Sequence, residues 1–192
     1  MKNKIDKIIK NNKIVFFLIL FIGLFITIPS IIPSFNVDAY CTIASNYTSS
    51  VKTFLKSGRI ITAFFYYLAS ILKLPFSIFS IFSIISANVF LSLSVYKIFN
   101  HLKKYVKNDI LKQYLLLIGS FLLFYNPLVI ELLLFEEAFI MCLGIYLVVL
   151  STLTFIKEKS LLLSFILTTL FCFTTSKSAF FRAYLSLLGI RL

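Results

Sequence analysis

The sequence predicts an all-α fold: a polytopic transmembrane helical bundle of about five spans, with an interfacial helix on its outer face. Charged residues make up only 14% of the 192-residue chain. A soluble domain carries roughly a quarter, so there are too few here to cover a water-facing surface. Mean hydropathy is +1.00, and 60% of the residues are hydrophobic, with 23 Phe in the chain. These residues come in runs close to the ~20 that a helix needs to cross a bilayer.

A net charge of +12 would point to nucleic acid in a soluble protein. Here the basic residues cluster at the ends of apolar runs, where they orient spans and hold anionic head groups. Membrane lipids are therefore expected partners and nucleic acid is not. Cys41, Cys142 and Cys172 are odd in number and lack metal spacing, so they read as small apolar fillers. No P-loop, GxGxxG, HExxH, CxxC or Ser-His-Asp arrangement occurs.

The first span is 14–32, behind Lys2, Lys4, Lys7, Lys10 and Lys13. Its apolar run is longer than a signal h-region and no small-x-small site follows, so it reads as a retained anchor. The lysines place the N-terminus in the cytoplasm, in a chain whose composition looks bacterial. Residues 33–75 then form an outer loop. Within it, 60–72 is short for a span, and counting it as one would carry the basic segment 97–113 outside. Thr62, Tyr66, Ser70 and Lys73 make a polar stripe on this apolar cylinder, as a helix on the membrane surface has. The alternative is a short tilted span with a turn at 73–75.

Further spans are expected at 76–96, 114–134, 138–156 and 161–176. Ser77, Ser80, Ser83 and Ser86 form a small-residue ridge in the second, expected to pack against a neighbour. Asn126–Pro127 predicts a kink or break in the third, with freed carbonyls. His101 sits in the basic loop without a partner for metal or nucleophilic work. The result is one membrane domain over 1–192, multi-pass in the bacterial cytoplasmic membrane, with its N-terminus inside. The last stretch loses the long-helix pattern, so the chain reads as truncated at its C-terminus.

Asp38 lies five residues past Pro33, within ~17 Å of the span's end and hence at head-group level. Ser57 is positioned to cap the helix that Arg59 opens. A helix N-terminus beside an arginine makes a phosphate site, because free N–H groups and the guanidinium face the same anion. A carboxylate and a phosphate cradle at one depth suit a lipid-phosphate substrate whose head group is transferred. The plainer reading has Arg59 anchoring the helix to bulk lipid phosphates and Asp38 as a solvated loop acid. Glu136 and Glu137 fall at the start of the 138–156 helix, where the dipole favours acids, so capping and acceptor binding are both open. Glu131 lies in or near a span, where a carboxylate is costly, unless it is wetted at the interface.

The segments "FNVDAYCTIAS…FLKSGRIITAFFYYL" and "NPLVIELLLFEEAFIMCLGIYL" resemble the first outer loop and a later Pro-containing span of the bacterial O-antigen-type membrane glucosyltransferases. Those are GT-C-fold enzymes that use sugars carried on polyprenyl phosphate. The resemblance covers roughly 14–156, the N-terminal portion of such a protein, and its short motifs gain specificity from their order and spacing. It implies that Asp38 is the catalytic base and that Asn36 and Arg59 belong to the substrate-binding stretch, with Glu131, Glu136 and Glu137 as further substrate-binding candidates. It implies a polyprenyl-phosphate-linked sugar as donor and a lipid-linked or surface glycan as acceptor. Family members often have a second acid directly after the first, where this chain has Ala39; that departure leaves dependence on a divalent cation open, and no other cofactor is implied. The competing class is a small non-catalytic membrane protein, a partner subunit or carrier-lipid translocation factor, in which Asp38 and Arg59 would form a structural ion pair.

Overall fold

The structure is a computed structural model that describes residues 11–31, 42–106, 109–135 and 137–158, together with 163, 166–167 and 169–170. Its elements are helices, with no strand among the described residues: α1 Asn12–Ile31, α2 Thr48–Lys56, α3 Ile60–Ile71, α4 Phe76–Lys103, α5 Ile110–Phe124, α6 Pro127–Leu132 and α7 Ala138–Glu158. Two stretches, Phe76–Val106 and Ala138–Ile156, are long and apolar enough to cross a membrane; Lys13–Pro29, Ile60–Ile71 and Ile110–Phe124 are apolar but shorter. The expected span 161–176 falls largely outside the described residues.

α4 is the hub, with α1, α5 and α7 packed against it and α2 paired with α3 beside them. Its buried face runs through Phe79, Ser83, Ala87, Leu91, Val95 and Phe99. That line winds about 40° around the helix at each step of four, the predicted serine ridge about 60° the other way at each step of three, and the two cross at Ser83. Of the ridge only Ser83 is buried, and Ser77 is exposed. The basic segment 97–113 is also less of a loop than expected. α4 continues to Lys103 and tightens into a 3-10 turn at Lys104–Val106. Hydropathy had located an apolar limit at residue 96; the helix itself persists because Phe99 still packs at the right spacing. At 28 residues it is about 42 Å long, more than the ~30 Å of a hydrocarbon core.

α5 begins at Ile110 because Asp109 caps it, accepting the Lys112 N–H at 3.1 Å. That amide and the Lys112 ammonium hold the Asp109 carboxyl below its ordinary pKa. The expected span 114–134 is divided. α5 stops at Phe124, and α6 starts at Pro127, where a missing N–H costs nothing. Asn126 caps the new helix by accepting the Val129 N–H at 3.0 Å.

The polar stripe of α3 turns toward protein. Thr62 and Tyr66 are buried, and Tyr66 packs edge-on to Tyr47, Phe54 and Phe79. The outward face carries Ile60, Phe64, Tyr67 and Ile71. α1 repeats the pattern: Phe17, Phe21 and Phe25 point out, while Val15, Ile19, Gly23 and Thr27 point in. These helices are thus as apolar outside as inside, and their buried faces mix polar residues such as Thr27, Thr62, Ser83 and Asn88 with large apolar ones. A water-soluble bundle would instead turn a polar face outward.

Candidate functional site

α2 ends in a tight reversal. Ser57, Gly58 and Arg59 return their amides to Thr53, Leu55 and Phe54 carbonyls, and Gly58 takes φ 78°, a left-handed conformation that costs a side-chain-bearing residue. Ser57 therefore closes α2, its hydroxyl donating to Phe54 O at 2.9 Å. It does not cap α3, as its position in the sequence had led us to expect, because the turn consumes it. Arg59 itself occupies the cap position of α3, and its side chain makes no capping bond to the helix's first amides. The first turn-closing bond is from Ala63 N–H to Arg59 O.

From there the guanidinium crosses to the head of α7. Arg59 Nη1 donates to Glu137 Oε1, with the guanidinium carbon 5.6 Å from the Phe54 ring centre. The two side chains are 24% and 13% exposed, so the pair is shielded without being sealed. Glu137 caps α7 through its backbone, its carbonyl accepting from Ile140 and Met141. Phe139 N–H, a further first-turn amide, goes to Ser83 Oγ of α4 at 3.2 Å. The head of α7 is thus bonded by protein, whereas among the described residues no side-chain bond to the head of α3 is made by its cap residue. Below them Phe65 stands edge-on to Phe139 at 4.9 Å, fastening α3 to α7 with an aromatic floor.

Of the candidate residues, the structure brings Arg59 and Glu137 together. Glu131 lies exposed near the end of α6 and makes no ion pair among the described residues. Asn36, Asp38 and Glu136 lie outside the described residues, so the described partner of Arg59 is Glu137. Among the described residues no three His, Cys, Asp or Glu side chains gather as a metal ligand set.

A second polar group was missed in the sequence. Asn88 Nδ2, fully buried in α4, donates to Thr27 Oγ1 of α1 at 2.9 Å and to Ile84 O at 3.0 Å. Thr27 donates to Gly23 O at 3.0 Å. The Tyr125 hydroxyl sits 3.1 Å from Ser92 Oγ and 3.3 Å from Asn88 Oδ1. A Cβ on Gly23 would overlap the Tyr125 hydroxyl and ring. The signal was present: Asn88 is an amide in the middle of an apolar helix, where an unpaired polar group is expensive. Its hydrogen bonds are satisfied internally, so it serves as a pin between α1, α4 and the α5–α6 break. No family model, no curated protein and no solved structure matches this chain.

Proposed function

We propose that the chain is a multi-pass protein of the bacterial cytoplasmic membrane that acts on lipid-linked phosphate at the outer leaflet. In this reading it is a glucosyltransferase-like enzyme moving a sugar from polyprenyl phosphate to a cell-surface glycan. The observation that carries the reading is Arg59 at the head of α3. Its side chain makes no capping bond to that helix, and its guanidinium bonds Glu137; an arginine next to helix N-terminal amides is a combination that suits a phosphate ester. A guanidinium has five N–H donors; the bond to Glu137 uses one and fixes the group's direction while leaving others for a ligand. The apolar outer faces of α1, α3 and α4 supply independent support for residence in lipid.

The chemistry is a single displacement. The acceptor hydroxyl oxygen attacks the anomeric carbon as its proton passes to Asp38. The anomeric carbon–oxygen bond to phosphate breaks, and the polyprenyl phosphate leaves with that electron pair, its charge met by Arg59 and the α3 amides. The anomeric centre inverts. Membranes carrying Asp38→Asn should lose transfer of labelled sugar from polyprenyl phosphate by about 100-fold or more, with the protein level unchanged. Near-normal transfer by that variant would sink the assignment.

A second reading is favoured by the same ion pair. Glu137 gives Arg59 a structural partner, as expected of a brace in a non-catalytic partner subunit or carrier-lipid translocation factor. In that case Asp38→Asn is silent, while Arg59→Ala lowers the amount of folded protein.

A further inference from the structure

At the other end of α4 lies a cavity of about 310 Å³, near the lower bound of small-ligand pockets, roughly 300–1,000 Å³. One wall is a single helical stripe: Lys97, Asn100 and His101 on α4, then Lys104 at the head of the 3-10 turn. Spacings of three, four and seven stack these side chains on one face. The facing wall, from α7, is Leu150, Leu153 and Thr154. Among the described residues no carboxylate lines the cavity. The ion pairs of the described residues are Arg59–Glu137 and Lys112–Asp109, and neither engages Lys97 or Lys104.

Lysines near a helix C-terminus ordinarily complement its dipole, but that end carries only about half a negative charge. Two ammonium groups exceed it, and the cavity stays cationic. Amide, imidazole and hydroxyl groups add donors beside the charges, while the leucines offer an alkyl surface. Tyr105, 75% exposed, stands beside the His101 ring at 5.9 Å, the type of residue found at membrane–water boundaries.

We propose that this cavity binds the phosphate group of an anionic amphiphile, with Lys97 and Lys104 meeting the charge and Leu150 and Leu153 flanking the attached chain. The site is separate from Arg59 and independent of the transfer reaction proposed above. The same phosphate chemistry could be presented by a membrane lipid or by a soluble phosphate ester. The test uses full-length protein, purified and delipidated in detergent, titrated with phosphatidylglycerol and phosphatidylcholine and followed by native mass spectrometry. Wild type and a control carrying Lys52→Ala and Lys56→Ala should retain phosphatidylglycerol. Lys97→Ala with Lys104→Ala, and the corresponding Gln pair, should bind it about tenfold or more weakly at an unchanged melting midpoint. Competition by millimolar inorganic phosphate assigns the site to a soluble ester, and resistance to it assigns the site to a lipid. Equal affinity in wild type and both double variants, or phosphatidylcholine bound as tightly as phosphatidylglycerol, overturns the proposal.

Discussion

Gly23 is where the absence of a side chain matters most. The Tyr125 ring occupies the space a Cβ would take, and its hydroxyl is held there by Ser92 and Asn88. Asn88 is held in place in turn, bonded to Thr27 and Ile84. Gly23→Ala should therefore destabilise the bundle by about 1–3 kcal/mol, the range for overpacking a filled interior. The control is Gly119→Ala in α5, where an added Cβ meets nothing within 4 Å; there the better helix propensity of Ala should leave stability equal or higher. Thermal unfolding of both variants in the same detergent checks the contrast. Equal midpoints would mean that the Gly23 contact carries no weight.

Between elements, the Arg59–Glu137 bond joins the heads of α3 and α7 across a long interval of sequence. Partial exposure screens it, so a double-mutant cycle on Arg59→Ala and Glu137→Ala should give a coupling of about 1 kcal/mol, and additive single variants would deny the pairing. Both residues were singled out from the sequence as charges at helix starts, but their meeting was not legible there, since neither local spacing nor hydropathy encodes a tertiary contact. The break before Pro127 was legible because proline's missing donor is a local constraint. The direction of the α3 stripe was not. A polar stripe reads as solvent-facing only if the solvent is water, and Thr62 and Tyr66 instead find protein. Helix ends at Asp109 and Lys103 were displaced for a related reason: hydropathy reports where apolar character stops, whereas caps and packing decide where a helix does. The acid on which the catalytic reading depends, Asp38, rests on sequence alone.

For the molecule as a whole, apolar exteriors on α1, α3 and α4 and polar residues on the α4 interior are what the proposed residence in lipid calls for. The orientation proposed from the lysines is open to a direct test. An exported phosphatase reporter fused after Ser45 or Lys73 should be active, and one fused after Asn108 inactive; the reverse pattern would overturn the topology on which the outer-leaflet site depends. The Gly23 notch adds a consequence in time. A ribosome delivers α1 first, and Tyr125 is not yet made when α1 is complete. Until the end of α5 emerges, the notch is an open gap on a finished helix, which Asn88 of α4 can approach through Thr27 but cannot fill. Closure of the notch thus marks the stage of synthesis at which the first helix becomes locked to the rest.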